Sequence, residues 1–372
     1  MKNILKTATS VLAAAALAIT AGACSAPKTV TLVSKADSLS TASGLVIDGQ
    51  TVADGELFAK AKAEGSISLY SGYVENSEKE VIKAFTQDTG IKVNLVRLVP
   101  NRLLERVLSE QGAGKLGADV IRTSEFSSVS AMNKAGAFSA HKVPNYAQLD
   151  DTVKYDAGKF YRVFDPAFTF AYNTALVSEA DAPKSWQDLL DPKWKGKIGT
   201  TQVGAGGSSA SLVRFQRDAL GDNYLQRYAA QQPRIFDSSG AQQESLSRGE
   251  IQVATAVVSS VNIAANNNAP VKFVVPKEGF ALYDYFLGMT PKAQHPAAAQ
   301  VFMNWNLSKR GASVFAQIGE YPADSAAPAP KVMGTQLPAI DSGLPHRGLP
   351  EDLARYGKED QAVWNRTFGY VG

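Results

Sequence analysis

Hydrophobic and polar positions follow two different periods along the first half of the chain, and together they predict a strand–helix–strand order. Residues 66–70 and 91–96 alternate apolar and polar side chains, as half-buried strands do. Between them, three large apolar side chains recur at helical spacing over residues 78–89. A βαβ unit is therefore expected here.

The same pattern continues with an apolar stripe that predicts a helix over residues 101–111 and a short strand at 118–121. In open α/β sheets, ligands bind beyond the carboxyl ends of the strands. The segments that follow two of these strands carry Tyr73 and Glu125. We therefore take both residues as candidates for ligand contact.

A long aromatic segment, residues 161–174, predicts an extended crossover from a first α/β half to a second one. A buried-type strand follows at 251–258, and strands within 271–289 can return the chain. The expected fold is α/β, with two domains joined by two extended crossover strands. The expected boundaries are 44–165 for the N-terminal part of the first domain, 166–280 for the second domain, and 281–372 for the return to the first domain plus a C-terminal tail. The proline-rich tail from residue 323 is expected to be irregular and to pack on the outside.

The start of the second half contains a loop of small residues between a predicted strand and a predicted helix. Glycines let backbone N–H groups turn toward one point, and a helix N-terminus adds partial positive charge, so such a loop suits a phosphate or a carboxylate. An ordinary strand-to-helix loop with a serine cap is the alternative. The candidate anion contacts are Gln202, Gly204, Gly206, Gly207, Ser208 and Ser209.

The first 23 residues combine Lys2 and Lys6 with a short apolar run and small residues before Cys24. This order is typical of an export signal, and the run is too short to span a bilayer. It resembles a bacterial lipoprotein signal, although Ala21 stands where leucine is usual. We expect lipid attachment at Cys24, a tether over 24–43, and a location on the outer face of the cytoplasmic membrane or on the cell surface. The alternative is a cleaved secretory peptide with a free cysteine.

Composition excludes several classes of function. The chain has 38 Lys and Arg against 35 Asp and Glu, and loss of a signal that carries two lysines leaves it nearly neutral. Nucleic acid is therefore not an expected partner. With three histidines and one cysteine, no zinc-type spacing is present. We expect a monomer with no cofactor.

Several short motifs, taken in order, resemble those of the ferric-ion-binding proteins of ABC importers, which are related to receptors for polyamines, thiamine, sugar phosphates and 2-aminoethylphosphonate. The likeness covers about residues 65–322. It implies a periplasmic-binding-protein type II clamshell that captures a small solute and delivers it to the transmembrane subunits of an ABC permease. The motifs are Tyr172-Asn173-Thr174, Ser185-Trp186-Gln187-Asp188-Leu189, Pro192 to Gly199, Gly249-Glu250-Ile251 and Gly319-Glu320-Tyr321-Pro322.

The resemblance also implies where an iron site would lie. Glu125 falls at the position of the glutamate ligand, whereas Tyr73 stands where a histidine is expected and Ser259-Ser260 where two tyrosines are expected. Because serine hydroxyls are poor replacements for phenolates, we expect the inherited iron site to be lost. A rearranged ferric site that uses Glu125 and Tyr73 with Tyr283 and Tyr285 is the alternative.

The anion part of the resemblance is better kept, since relatives hold a carbonate, phosphate or phosphonate at the helix start that corresponds to residues 202–209. The favoured ligand is therefore a small organic phosphate, phosphonate or carboxylate. Tyr73 would stack on it, and Glu125 would pair with an ammonium or hydroxyl end. The remaining expected polar contacts are Ser259, Ser260, Asn262 and Tyr283.

An exported serine hydrolase is the remote alternative. Gly206-Gly207-Ser208-Ser209-Ala210 resembles a degenerate nucleophile elbow, with His295 or His346 as the base. The final glycine of that motif is absent. We therefore expect a binding protein and no catalytic residues.

Overall fold

The structure is a computed structural model that describes residues 32–221, 223–324 and 327–371. The expected signal over 1–23, Cys24 and the first part of the tether lie outside the described residues. Within the described part of the chain, no helix has the length and apolar character needed to cross a membrane.

The chain forms α-helices and β-strands in alternation over most of its length. The helices are α1 (Gly55–Glu64), α2 (Glu75–Thr89), α3 (Pro100–Gly112), α4 (Phe126–Lys134), α5 (Gly207–Leu220), α6 (Asn223–Ala229), α7 (Ser239–Ser247), α8 (Val258–Asn266), α9 (Pro296–Asn306), α10 (Lys309–Ile318) and α11 (Pro350–Phe368). The strands are β1 (Leu39–Ser40), β2 (Gly44–Ile47), β3 (Gln50–Asp54), β4 (Ser66–Ser71), β5 (Lys92–Arg97), β6 (Val120–Ser124), β7 (Lys154–Tyr155), β8 (Phe160–Asn173), β9 (Ile198–Thr201), β10 (Arg234–Phe236), β11 (Val253–Val257), β12 (Val271–Val274), β13 (Phe280–Leu282), β14 (Tyr285–Met289), β15 (Glu320–Pro322), β16 (Lys331–Val332), β17 (Thr335–Gln336) and β18 (Pro345–Arg347).

Strand β8 is the central element, and all 14 of its residues are buried. Its first half pairs with β7, β14 and β15, and its second half pairs with β11, β12 and β13. Pro166 lies where the partners change. The expected crossover is therefore confirmed, and the fold is the expected α/β arrangement of two domains.

We call the part built on β4, β5, β6 and β14 lobe 1, and the part built on β9, β10 and β11 lobe 2. In lobe 1, β4 pairs in parallel with both β5 and β6, and in lobe 2, β9 pairs in parallel with both β10 and β11. Parallel strands bring their carboxyl ends to one edge of a sheet. The loops that follow β5, β6, β9 and β10 supply the candidate site.

Local sequence signals account for the ends of several helices. Asp54 caps α1 by accepting a hydrogen bond of 2.8 Å from the backbone N–H of Leu57. Gly65 ends the same helix with φ of 72°, a left-handed conformation that suits glycine. Ser238 caps α7 in the same way, accepting from the N–H of Ala241 at 3.2 Å. Serine and aspartate caps therefore set where these helices begin.

The interior of lobe 1 combines aromatic packing with one buried ion pair. The ring of Phe85 lies 4.9 Å from that of Phe302 and 5.6 Å from that of Trp305, both in edge-on contact. Asp88 accepts hydrogen bonds from Arg310 at 2.8 Å and from the Trp305 indole at 3.0 Å. This pair joins α2 to α9 and α10, and it leaves the carboxylate compensated inside the protein.

The expectation of an irregular tail is wrong, because residues 350–368 form the 19-residue helix α11. Pro350 occupies the first turn, where a missing N–H costs nothing, so it starts the helix instead of breaking it. Beyond it, Asp360, Trp364 and Phe368 recur at helical spacing on one face. The prolines upstream of residue 350 obscured this pattern.

Candidate functional site

A small, partly open space lies between the two lobes, at the carboxyl ends of their strands. Its volume is about 30 Å³, and a single water needs roughly 10–15 Å³, so it has room for one small chemical group. It is lined by Gly72, Val74, Arg97, Val99, Pro100 and Ser124 of lobe 1, by Ala205, Ser208, Ser238 and Ser239 of lobe 2, and by Tyr283 and Tyr285 on the second crossover. We call this space the inner cavity.

The inner cavity is electropositive. Arg97, the last residue of β5, lines it, and the described residues of its wall include no aspartate or glutamate. The first turn of α5 contributes Ser208, and the start of α7 contributes Ser238 and Ser239. Two helix N-termini add partial positive charge to that of the guanidinium. The surroundings therefore favour an anionic group.

The second crossover places two phenol groups against this cavity. Burial raises the pKa of Tyr283 well above its ordinary value, with Ser208 opposing the shift through a hydrogen bond, and burial likewise raises the pKa of Tyr285. The hydroxyl of Tyr285 donates to the carbonyl of Gly72 at 3.1 Å. Both side chains are therefore neutral phenols at physiological pH.

The two lobes touch at a pair of glycines, Gly206 and Gly207, which leave no space for a side chain. A Cβ added at Gly206, where φ is 156°, would lie 2.9 Å from Cγ of Pro100, and one at Gly207 would lie 3.1 Å from the backbone nitrogen of Glu125. The N–H of Gly207 donates to the Ser124 hydroxyl at 3.4 Å. These glycines allow lobe 2 to approach lobe 1 directly above the inner cavity.

The structure brings several other predicted residues to this region without placing them in the wall of the inner cavity. Gln202 accepts from the N–H of Gly204 at 2.7 Å, and both residues line a second, larger space that adjoins the first. Glu125 is half-buried with φ of 76°, and its carboxylate accepts from Ser127 at 2.8 Å. Glu125 therefore faces its own helix α4 in this conformation.

A buried polar cluster lies behind the cavity, between β15 and the starts of α2 and α8. The Tyr73 hydroxyl donates a short hydrogen bond to Glu320 and lies 3.5 Å from the Ser259 hydroxyl, which in turn lies 3.4 Å from that of Ser77. Burial raises the pKa of Glu320 to about 7, and the bonds from Ser259 and Tyr73 oppose that shift. Of the four positions that the resemblance links to iron, Tyr73 and Ser259 thus meet in space, and both bond the Glu320 carboxyl group, whereas Glu125 and Ser260 do not take part.

Three further predicted residues lie away from the inner cavity. Ser209 and Ser260 are buried, and the hydroxyl of each has no hydrogen-bond partner among the described residues. Asn262 donates to the carbonyl of Ile318 at 3.1 Å, at the end of α10. The amide of Asn262 is therefore engaged in joining two helices.

The histidines suggested for hydrolysis lie elsewhere. His295 bonds Asp119 at 2.8 Å at the start of α9, and the ring of His346 packs 4.9 Å from that of Phe215. Neither is among the residues that line the inner cavity with Ser208. In the described ranges, no group of three or more histidine, cysteine, aspartate or glutamate side chains is arranged to hold a metal ion.

Sequence reasoning missed Arg97 and Ser238 as wall residues, and it missed Glu320 as the partner of Tyr73. Arg97 follows the same rule that selected Tyr73 and Glu125, since it ends a parallel strand at the ligand edge of the sheet. Ser238 carries the signal of a helix cap. Both signals are present in the sequence and were available to find these residues.

Comparison with known proteins identifies the family. The family model described as bacterial extracellular solute-binding protein matches residues 80–340, which include most of both lobes. The chain belongs to this family. The match ends at residue 340, ten residues before α11 begins.

Relatives within this family have names that indicate different solutes. The Fe(3+)-binding periplasmic protein of Serratia marcescens is 31% identical over 39% of this chain and 42% of its own length, so the match spans less than half of that relative. The spermidine/putrescine-binding periplasmic protein 1 of Haemophilus influenzae is 27% identical over 72% of this chain and 77% of its own length. The putative 2-aminoethylphosphonate-binding periplasmic protein of Salmonella typhimurium is 29% identical over 68% and 76%.

Solved structures of solute-binding proteins share the fold. The substrate binding protein of an ABC transporter from Agrobacterium tumefaciens aligns with a TM-score of 0.70 at 17% identity, over 82% of this chain and 94% of that one. The periplasmic binding protein AfuA from Actinobacillus pleuropneumoniae, solved with fructose-6-phosphate, aligns with a TM-score of 0.63 at 20% identity, over 82% and 99%. At these identities the likeness concerns the fold alone.

Proposed function

We propose that this solute-binding protein captures a small anionic solute, an organic phosphate, phosphonate or carboxylate, and that the inner cavity holds the anionic group. Arg97 supplies the counter-charge, and Ser208 together with the first turns of α5 and α7 supplies hydrogen-bond donors. A charge-assisted bond from a guanidinium to an oxyanion is among the strong hydrogen bonds in proteins. The group is enclosed when Gly206 and Gly207 close on lobe 1.

The observation that carries this proposal is the charge of the wall. Arg97 lines the inner cavity, and no carboxylate among the described wall residues balances it. Arg97 is half-buried, and an anionic ligand gains a charge-assisted hydrogen bond from its guanidinium. A neutral or cationic solute gains no such charge-assisted interaction with Arg97.

The same observation weighs against the ferric alternative. Ferric ion is a hard cation that prefers phenolate and carboxylate oxygen. Of the four alternative ligands, Tyr283 and Tyr285 line the inner cavity, whereas Tyr73 bonds Glu320 and Glu125 faces Ser127. Burial raises the pKa values of the two cavity phenols, which opposes their ionisation.

The rest of the functional assignment follows from the family. We propose that the protein acts without turnover, as a monomer, and that closure around the solute creates a surface that the transmembrane subunits of an ABC permease bind. We also propose export and lipid attachment at Cys24, which holds the protein on the outer face of the membrane. Relatives named as solute-binding proteins support the transport role, not the anchor.

A thermal-shift titration of the purified protein tests the proposal. The probes are glucose 6-phosphate, 2-aminoethylphosphonate, succinate, spermidine and ferric citrate. A probe at 100 times its Kd adds about 2.7 kcal/mol to the free energy of unfolding. We expect an anion to stabilise the protein, and Arg97→Gln to weaken its binding about 10- to 100-fold, since hydrogen bonds to charged groups contribute about 1.5–3 kcal/mol.

Two variants control for indirect effects, because Arg97 also donates to the carbonyl of Tyr73 at 3.0 Å. Arg97→Lys keeps the charge and is expected to retain part of the affinity. Arg366→Gln removes an exposed charge on α11 outside both cavities and is expected to change nothing. Equal anion binding by Arg97→Gln and the wild type would overturn the proposal, as would stabilisation by ferric citrate with a tyrosinate absorption band.

A further inference from the structure

Helix α11 lies against both lobes at the mouth of the cleft. It contacts α5 and α6 of lobe 2 and α4 of lobe 1, and it begins ten residues beyond the family match, which ends at residue 340.

Ionic and aromatic contacts fix α11 in place. Asp360 is buried and accepts hydrogen bonds from Arg217 at 2.5 Å and from Arg214 at 3.2 Å, both on α5. Near the end of the helix, the ring of Phe368 lies 6.1 Å from that of Tyr228 on α6, in edge-on contact. The helix is thus anchored to the same α5 whose first turn lines the inner cavity.

A second, partly open space, the outer cavity, lies where α11 meets the two lobes. Its volume is about 510 Å³, within the range of roughly 300–1,000 Å³ typical of small-molecule sites. It is lined by Val99, Asn101 and Arg102 of lobe 1, by Gln202, Gly204 and Asp237 of lobe 2, and by Gln361, Asn365 and Tyr370 of the C-terminal segment.

The two cavities lie along neighbouring residues of the same three segments. Val99 lines both spaces, and the residues that follow it line one each, Pro100 the inner cavity and Asn101 the outer. On lobe 2, Ala205 and Ser238 line the inner cavity, while the residues directly before them, Gly204 and Asp237, line the outer cavity. The outer cavity therefore adjoins the inner cavity on the side that α11 borders.

The outer cavity is polar and suits a group that both donates and accepts hydrogen bonds. Of its nine lining residues, Asn101, Gln202, Gln361 and Asn365 are amides, and Val99 is the one aliphatic side chain. Each amide side chain offers both a donor and an acceptor, so these four residues can pair with ligand hydroxyls.

We propose that α11 and the short segment that follows it form the third wall of the solute site, and this proposal rests on the function proposed above. Gln361, Asn365 and Tyr370 are then the specificity-determining residues. They bind the distal, hydroxyl-bearing part of an anionic solute whose charged group lies at Arg97. The Tyr370 hydroxyl already bonds Asp237 of lobe 2 at 3.4 Å, which places it at the rim of the outer cavity.

Calorimetric titration of the full chain tests this proposal with two phosphate probes that differ in their distal part. Glucose 6-phosphate has a hydroxyl-rich distal group, and inorganic phosphate has none. In the double variant Gln361→Ala/Asn365→Ala, we expect the affinity for glucose 6-phosphate to fall at least tenfold and that for phosphate to stay within twofold. Lys358→Ala, an exposed change on the same helix outside the cavity, is the matched control and is expected to leave both affinities unchanged.

The outcomes separate this proposal from the function on which it rests. If Arg97→Gln lowers the affinity for a probe and the double variant does not, the anion site stands and the role of α11 is overturned. If the double variant lowers the affinity for a probe and Arg97→Gln does not, α11 stands as a wall of the site and the assignment of the anion to Arg97 is overturned. If neither phosphate probe binds the wild type, the proposed role of α11 toward a hydroxyl-bearing phosphate is overturned, and the anion site is decided by the titrations with 2-aminoethylphosphonate and succinate. Tyr370→Phe, with the same selective loss for glucose 6-phosphate, identifies the hydroxyl as the contacting group.

Discussion

We predict that replacing Glu320 by glutamine, in the buried cluster behind the cavity, changes how the free energy of unfolding depends on pH. Burial raises the pKa of this carboxyl from an ordinary 4.5 to about 7. The folded protein therefore holds a proton that the unfolded chain has released between these two pH values. Stability is fully present below about pH 4.5 and is lost as the pH rises through 7.

The size of the effect follows from the two pKa values. Between pH 5 and pH 8, the linkage relation with 4.5 for the unfolded chain and about 7 for the folded protein gives a loss of about 2.5 kcal/mol. This is a large share of the roughly 5–15 kcal/mol that stabilises a typical domain. Glutamine cannot ionise, so Glu320→Gln avoids the loss.

Urea unfolding at pH 5 and pH 8 measures this difference directly. We expect the stability of Glu320→Gln, relative to the wild type, to improve by about 2.5 kcal/mol on going from pH 5 to pH 8. Asp165, whose pKa burial raises to about 7, also raises the pKa of Glu320 by like-charge repulsion, so Asp165→Asn is measured alongside to separate the two carboxyl groups. Glu56→Gln, at an exposed site paired with Lys60, is the control and should follow the wild type. Parallel pH profiles for the wild type and Glu320→Gln would refute the reasoning.

Two further substitutions test the contact between the lobes and the core of lobe 1. Gly206→Ala places a methyl group 2.9 Å from Pro100 in a backbone conformation that favours glycine, so we expect the free energy of unfolding to fall by about 1–3 kcal/mol. We also expect weaker stabilisation by anions, measured by thermal unfolding with and without glucose 6-phosphate. An unchanged anion response would show that the lobes need not meet here. Asp88→Ala leaves Arg310 and the indole of Trp305 without their buried partner, and we expect a loss of about 3–5 kcal/mol in urea unfolding. A loss below 1 kcal/mol would contradict the assignment of this pair to the core.

Local periodicity was sufficient to predict the crossover strand and the helices of the lobes. The aromatic segment at 161–174 forms β8 (Phe160–Asn173), and the small-residue loop opens α5 (Gly207–Leu220) as expected. Such elements depend on side chains close together in sequence. The tail was mispredicted because Pro350 reads as a helix breaker, although in the first turn it favours a helix.

The composition of the site was harder to predict, because it depends on contacts between segments far apart in sequence. Tyr73 was expected at the ligand, yet its hydroxyl bonds Glu320, 247 residues away, through a contact that no local pattern indicates. Arg97 lines the inner cavity because β5 pairs in register with β4 and ends at the same edge of the sheet. Asn365 joins the outer cavity through a helix packed on α5. These placements follow from the tertiary fold.

Binding of the solute's anionic group by Arg97 inside the cleft can be measured by isothermal titration calorimetry. The titrations use the purified protein with glucose 6-phosphate, 2-aminoethylphosphonate and succinate, for the wild type, Arg97→Gln and Arg366→Gln. We predict saturable one-to-one binding of at least one of these anions to the wild type and to Arg366→Gln, with at least tenfold weaker binding to Arg97→Gln. Absence of binding to all three anions, or anion binding that Arg97→Gln leaves unchanged, would contradict the account.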